Sequence, residues 1–220
     1  FKKERLSRMF FLGNYFKMKI ILTGATGFIG SHIISKLLAK EHKITVLLRD
    51  KSKNNSFESL GITVINGNLD NKSSLKKSLK DIEVVIHLAG VLPSSKVSKK
   101  SLYKTNVDGT KNLLTEVLKS EKIKQFIFMS TAFVEWGSDS SRSDYEQSKI
   151  LAERFIVDRT KHTDVKFTIV RPGFVYGNSI NSGISPLVKM IASNKFFYVG
   201  TGNNLFEMTH VEDVANLTVS

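Results

Sequence analysis

Tyr145 and Lys149 stand four residues apart in the segment DYEQSKILAE, Asp144 to Glu153, which has a helical pattern. Residues at that spacing share a helix face. A phenol held near an ammonium loses its proton more readily, because the positive charge stabilises the phenolate. The pair is a candidate acid/base couple, able to give a proton to a carbonyl oxygen or take one from a hydroxyl. The competing reading is a surface helix in which the two residues are incidental, and the rest of the chain has to choose between them.

A second group of residues has a chemistry of its own. TGATGFIG, Thr23 to Gly30, follows an apolar strand and opens a helix. In that context Gly24 makes the tight turn, Gly27 lets the backbone approach a pyrophosphate, and Gly30 lets the helix pack against the sheet. Phe28 and Ile29 begin the helix, whose free N–H groups face the phosphates, and both join the candidate cofactor contacts. About 20 residues past the glycines, NAD sites usually place an acid for the ribose hydroxyls. Here Leu48 takes that place and Arg49 follows it. An apolar side chain cannot bind the diol, whereas an arginine forms a forked contact with a 2′-phosphate. Asp50 is nearby and could equally point to solvent. The pattern favours NADP, with NAD possible.

The elements that must hold these residues alternate. KIILTG, KITVLL, GITVING, IEVVIHLAG, KQFIFMS and KFTIVRPG read as six strands, most of them nearly continuous in apolar residues. Such runs are expected where both faces of a parallel sheet are covered. Between them lie helical stretches, the longest with Leu102, Val107, Leu113, Leu114, Val117 and Leu118 facing inward. Strand–helix alternation predicts an α/β, Rossmann-like, doubly wound parallel sheet with helices on both faces. Ligands in such sheets bind at the carboxyl ends of the strands.

Composition narrows the classes. The chain has 220 residues, 33 basic and 20 acidic, with a net charge of +13 and no cysteine. The absence of cysteine excludes disulfides and fits a reducing compartment, so a cytoplasmic location is expected. The basic residues are mostly scattered lysines, such as Lys72, Lys76, Lys77, Lys96 and Lys119. They form no arginine cluster and no basic–aromatic run, so no nucleic-acid partner is expected. No apolar run approaches the roughly 20 residues of a membrane span. Residues 1–17 carry five basic residues and one acidic residue and lack a signal peptide's long apolar stretch. They read as a poorly ordered basic leader, and residues 18–220 as the nucleotide-binding domain. HVEDVANLTVS begins a helical pattern at the end of the chain and stops within it, so a C-terminal part is expected to be missing.

Together these residues resemble the extended short-chain dehydrogenase/reductase family, also called the NAD-dependent epimerase/dehydratase family. The resemblance runs from Met18 to Ser220 through several motifs in order: TGATGFIG, VVIHLAG, NVDGT, FIFMSTA, YEQSK, VRPGFVYG and HVEDVA. It implies that Tyr145 is the acid/base, that Lys149 lowers its pKa and holds the nicotinamide ribose, and that Thr131, with Ser130 beside it, holds the substrate oxygen. It implies that Leu88, Ala89 and Gly90 run along the cofactor, with Asn106 on the neighbouring helix and Pro172 and Gly173 bordering the nicotinamide. Asn68, where the family commonly has an acid, and Leu69 would meet the adenine. The resemblance also implies a small-molecule substrate, a possible homodimer, and that the missing C-terminal part is most of a substrate lobe. The span from Thr131 to Tyr145 is shorter than usual among sugar-nucleotide epimerases.

Other residues are expected to be structural. His87 reads as a strand-end histidine and not as a metal ligand, and no metal is expected. Asp213 reads as a helix cap, and Trp136 and the aromatics of KFFYVG read as core. The function expected is an NADP-linked oxidoreductase acting on a carbonyl or secondary alcohol. A nucleotide-sugar epimerase or dehydratase with a recycled cofactor is the alternative, followed by a thioester reductase or a non-catalytic NAD(P)-binding scaffold.

Overall fold

A computed structural model of the chain describes residues 17–94, 96–136, 141–178, 184–197, 200–201, 203 and 206–220. The expectation for a basic leader falls on residues 1–16, outside this set, save that Lys17 pairs with Glu41 at 2.8 Å.

Six parallel strands form the sheet: β1 (Lys19–Thr23), β2 (Lys43–Leu48), β3 (Thr63–Asn66), β4 (Val84–His87), β5 (Gln125–Met129) and β6 (Lys166–Val170). Their order is β3-β2-β1-β4-β5-β6, so the strand leading into the glycine turn is central. In the β1–β4 register Thr23 stands beside His87, which brings the glycine turn next to the end of β4. The order reverses there, and a crevice opens at such a point.

The strands read as unbroken apolar runs because alternate residues serve two cores. Ile20, Leu22, Val84, Ile86, Ile127 and Met129 meet helix α1 (Phe28–Ala39) through Ile33, Ile34 and Leu37. Ile21, Val85, Phe126 and Phe128 point the other way. There they meet α3 (Lys72–Ser78), α5 (Thr110–Val117) and α6 (Asp144–Thr160). The short α2 (Asn54–Glu58) connects β2 to β3. A set of helices thus covers each face of the sheet.

Four features depart from the sequence reading. The long helix before β5 is not uniform: α4 (Lys99–Tyr103) and α5 flank a π-helical segment, Lys104–Gly109. The apolar spacing carries a trace of it, since Leu102 and Val107 are five residues apart, one more than a helix face allows. After β6 a separate two-stranded parallel pair forms, β7 (Phe174–Tyr176) with β8 (Met208–His210). Helices α7 (Ser185–Ala192) and α8 (Val211–Val219) follow these two strands, and α8 packs on α1. Asp213 is not the cap of α8: the His210 ring accepts from Glu212 N at 3.3 Å, and Asp213 sits inside the first turn, where its charge suits the helix dipole. Trp136, Phe196 and Phe197 are not core, with Trp136 40% and Phe197 67% exposed. No helix among the described residues is long and apolar enough to cross a membrane.

Candidate active site

The glycine turn takes its shape from backbone constraints. Gly24 has φ +76°, and a Cβ there would lie 2.6 Å from Ala89 N, so both the left-handed backbone and the neighbouring chain require glycine. Gly27 N donates to Gly24 O at 3.0 Å, and Gly27 is the N-cap of α1 without any side-chain cap. The first turn of α1 carries no acidic residue, which leaves a positive helix end facing the crevice. A Cβ on Gly30 would come 2.5 Å from Gly24 O, so the helix packs as close as the sequence implied.

A cleft of about 430 Å³ opens beside this turn. Gly24, Gly27, Arg49, Asn68, Leu69, Leu88, Ala89 and Gly90 all line it, drawn from the ends of four strands. Lys53 lines it too, a second cation that the motif reading missed; its signal was the spacing RDKSK, which brings Lys53 back after one short turn. Asp50 caps that turn, accepting from Ser52 N at 2.9 Å, and these hydrogen bonds hold its carboxyl below the usual range. Leu48 is buried in the core facing α1. The charged residues that line this end are Arg49 and Lys53 with Asp50 and Asp70.

The remaining candidates take different positions. The Phe28 ring stacks edge-on against His32 with centroids 5.3 Å apart, and Ile29 packs on the core, so only their backbone faces the turn. Asn68 folds its side chain into a local turn, Oδ1 accepting from Asp70 N at 3.0 Å. Asn106 differs from a direct cofactor contact. Its Nδ2 donates to Val91 O and to Ser148 Oγ, each at 3.1 Å, while Oδ1 accepts from Val91 N at 2.7 Å. Both amide protons are engaged, so Asn106 ties the loop after β4 to α6. Pro172 O accepts from Ala132 N at 2.9 Å, and a Cβ on Gly173 would lie 2.4 Å from Glu207 O. These contacts join the end of β6 to the turn after β5 and to the start of β8.

The Tyr145–Lys149 pair rides on α6, which opens with a full capping box: Ser143 accepts from Glu146 N while Glu146 accepts from Ser143 N. Lys149 is 5% exposed; its Nζ donates to Met129 O at 2.8 Å and lies 4.8 Å from the Phe128 ring centre. Burial pulls its pKa down to about 8, opposed by the nearby Glu153 carboxylate. The Nζ is 5.9 Å from the Tyr145 ring centre. Gly90 passes close to Lys149 and Asn106, since a Cβ there would lie 3.5 Å from that Nζ and 3.4 Å from Asn106 Oδ1, ordinary contact distances.

Tyr145 departs from expectation. Its phenol is pushed up to about 12 by burial, with the Glu146 charge acting the same way. The resemblance implied a phenol lowered by Lys149. Here burial and the Glu146 charge set the direction, and the Lys149 ammonium is bonded to a backbone carbonyl.

Thr131 caps the 3-10 turn Ala132–Glu135, and both Thr131 and Ser130 are buried at the end of β5. Among the described residues, Ser130 Oγ is buried without a hydrogen-bond partner, an unmet polar group beside the Thr131 hydroxyl. The His87 ring is fully buried between Thr23 Oγ1 at 2.6 Å and Thr110 Oγ1 at 2.9 Å. Thr110 donates to Asn106 O at 2.7 Å, so it must accept from the ring; the proton therefore sits on Nε2, and Nδ1 accepts from Thr23. Burial first, and Lys149 second, hold His87 down to about 3, so the ring is neutral.

The cleft and the uncapped helix end fit a dinucleotide. Known proteins agree in outline. The sequence pattern of the NAD dependent epimerase/dehydratase family matches residues 20–220. The chain is 25% identical over 213 residues to a sterol-4-alpha-carboxylate 3-dehydrogenase, decarboxylating, of Dictyostelium discoideum, covering 89% of this chain and 65% of that protein. It is 29% identical over 208 residues to an N-acetyl-alpha-D-glucosaminyl-diphospho-ditrans,octacis-undecaprenol 4-epimerase of Escherichia coli O157:H7, covering 89% and 60%. Among solved structures it is similar to MoeE5 in complex with UDP-glucose and NAD, with a TM-score of 0.73 and 25% identity, over 91% of this chain and 70% of that one. The chain spans between 54% and 65% of the length of the first three curated relatives. With a match over more than nine tenths of its length, the chain belongs to the NAD dependent epimerase/dehydratase family.

Proposed function

We propose that the protein is an NADP-linked oxidoreductase acting on a carbonyl or secondary alcohol. The observation that carries this reading is the stripe formed by Tyr145 and buried Lys149, with Lys149 bonded to the strand that ends in Ser130 and Thr131. Arg49 and Lys53 would hold the 2′-phosphate, and the first turn of α1 the pyrophosphate. Asn68 and Leu69 would border the adenine. When bound, the nicotinamide supplies or accepts the hydride. Thr131, with Ser130 beside it, would hold the substrate oxygen, and Tyr145 would exchange its proton. The Tyr145 phenol is protonated throughout the neutral range and so can donate to a carbonyl oxygen. Lys149, its pKa near 8, would hold the nicotinamide ribose.

A second reading, epimerisation or dehydration of a nucleotide sugar with a recycled cofactor, is favoured by two of the similar proteins, the Escherichia coli 4-epimerase and the MoeE5 complex with UDP-glucose and NAD. The two readings separate in one assay. Net oxidation of added NADPH by a carbonyl panel supports the first, and conversion of a UDP-sugar without net change in cofactor absorbance supports the second. NADP preference has its own test. A charge-assisted contact is worth roughly 1.5–3 kcal/mol, so Arg49→Ala should weaken NADPH binding about 10- to 100-fold and leave NADH binding near the parent value. Equal loss for both cofactors, or a parent protein that prefers NADH, removes the NADP assignment.

A further inference from the structure

Arg171 is the junction of a charge cluster lying behind the Tyr145–Lys149 stripe. Its Nε donates to Glu153 Oε1 at 3.0 Å and its second terminal nitrogen donates to Glu153 Oε2, a forked pairing. Its remaining terminal nitrogen donates to Glu135. Glu153 is only 6% exposed and lies one turn beyond Lys149 on α6, so Tyr145, Lys149 and Glu153 form one stripe at four-residue spacing. Glu135 ends the 3-10 turn that Thr131 caps, and Arg171 directly precedes Pro172. One guanidinium therefore joins the three segments that carry Thr131, the Tyr145–Lys149 pair, and Pro172 with Gly173.

We propose that Glu153 is a positioning residue for Lys149, setting where its ammonium points and how readily it keeps its proton, and that Arg171 holds Glu153 in that role. The proposal rests on the reading of Lys149 as the lysine that grips the cofactor. A buried carboxylate one helical turn away favours the charged lysine and offers its ammonium a competing partner to the Met129 carbonyl. The forked bond to Arg171 occupies both carboxylate oxygens, so Lys149 stays on Met129 and remains poised near neutrality. The titratable groups facing Lys149 are Tyr145 and Glu153 on its own helix and neutral His87 on β4; Arg171, from the end of β6, is bonded to Glu153.

The test needs no substrate. Lys149 is titrated in the intact chain by carbon-13 or nitrogen-15 NMR of labelled lysine, assigned with Lys149→Met. Glu153→Gln should move the midpoint below the parent value, and Arg171→Met should move it above, because Glu153 then has no cation except Lys149. Arg171→Lys, which keeps one charge and is the milder change for folding, should lie nearer the parent. At pH 8, NADPH affinity should fall about tenfold in Glu153→Gln. A purely structural pair would show lower melting temperatures with an unmoved midpoint, or, if the core loosens and admits water, both midpoints rising together. Either outcome overturns the proposal. The cofactor reading fails separately, if Lys149→Met binds NADPH as the parent does.

Discussion

At the scale of single residues, the site divides into groups whose chemistry the sequence displays and groups whose partners it hides. Tyr145→Phe removes one hydroxyl and leaves the ring in place; turnover should fall about 10²–10⁴-fold with cofactor affinity nearly unchanged, measured by single-turnover kinetics beside fluorescence titration. Thr131→Val should also lower turnover with little effect on the cofactor. Lys149→Met should impair both. A Tyr145→Phe protein turning over at the parent rate would remove Tyr145 from the proposed chemistry. Tyr145, Lys149, Gly24 and Arg49 were legible because a motif or a spacing marks each. Asp50 was left open, and it both caps the turn after β2 and lines the cleft. Glu153 and Arg171 were hidden, since their bond spans 18 residues of sequence and forms only when α6 lies across the end of β6.

At the scale of elements, the six strands were legible because alternate residues feed two cores and the runs become continuously apolar. β7 and β8 were not, because three residues carry no measurable period. The glycine turn is the element least tolerant of change. Gly24→Ala places a methyl carbon 2.6 Å from Ala89 N on a backbone with φ +76°. We expect a loss of about 2–4 kcal/mol, read by chemical denaturation, together with loss of cofactor binding. The π-helical segment has a comparable role. Asn106→Leu would leave Val91 N and O and Ser148 without their partner. The expected cost is about 2–4 kcal/mol from these unmet groups, with the loop after β4 loosened and NADPH binding weakened. A melting curve unchanged from the parent would show that the segment is not held this way.

Over the whole molecule, the buried titratable groups set how stability follows pH. His87 has a folded-state pKa near 3 against about 6.5 unfolded. As pH falls from 6.5 towards 3, the unfolded chain takes up a proton that the folded chain refuses. The contribution of neutral His87 is therefore complete above pH 6.5 and is lost on acidification, by up to ~1.4 kcal/mol per pH unit. Denaturation midpoints at pH 7 and pH 4.5 should differ accordingly, and His87→Gln, though less stable, should show a shallower dependence. Lys149 acts in the alkaline window: its folded pKa near 8 makes burial of the charged form costly below pH 8, and stability recovers as pH rises towards about 10.5. Sequence alone identified His87 as structural, but which atom bonds which threonine depends on β1, β4 and the π-helical segment meeting in three dimensions.

The hydrogen-bond order around His87 also limits how protons can travel. Ala89 N donates to Thr23 Oγ1, Thr23 to the ring, the ring to Thr110, and Thr110 to Asn106 O. A branch from Asn106 runs to Ser148 Oγ, which donates to Tyr145 O at 2.7 Å. Each line ends on a backbone carbonyl, and the first also begins on a backbone amide, groups that neither release nor accept a mobile proton. The network is thus an insulator that meets Tyr145 at its backbone carbonyl. It fixes the geometry without conducting, so Tyr145, as the proposed proton donor, would draw its proton from elsewhere than this chain of bonds.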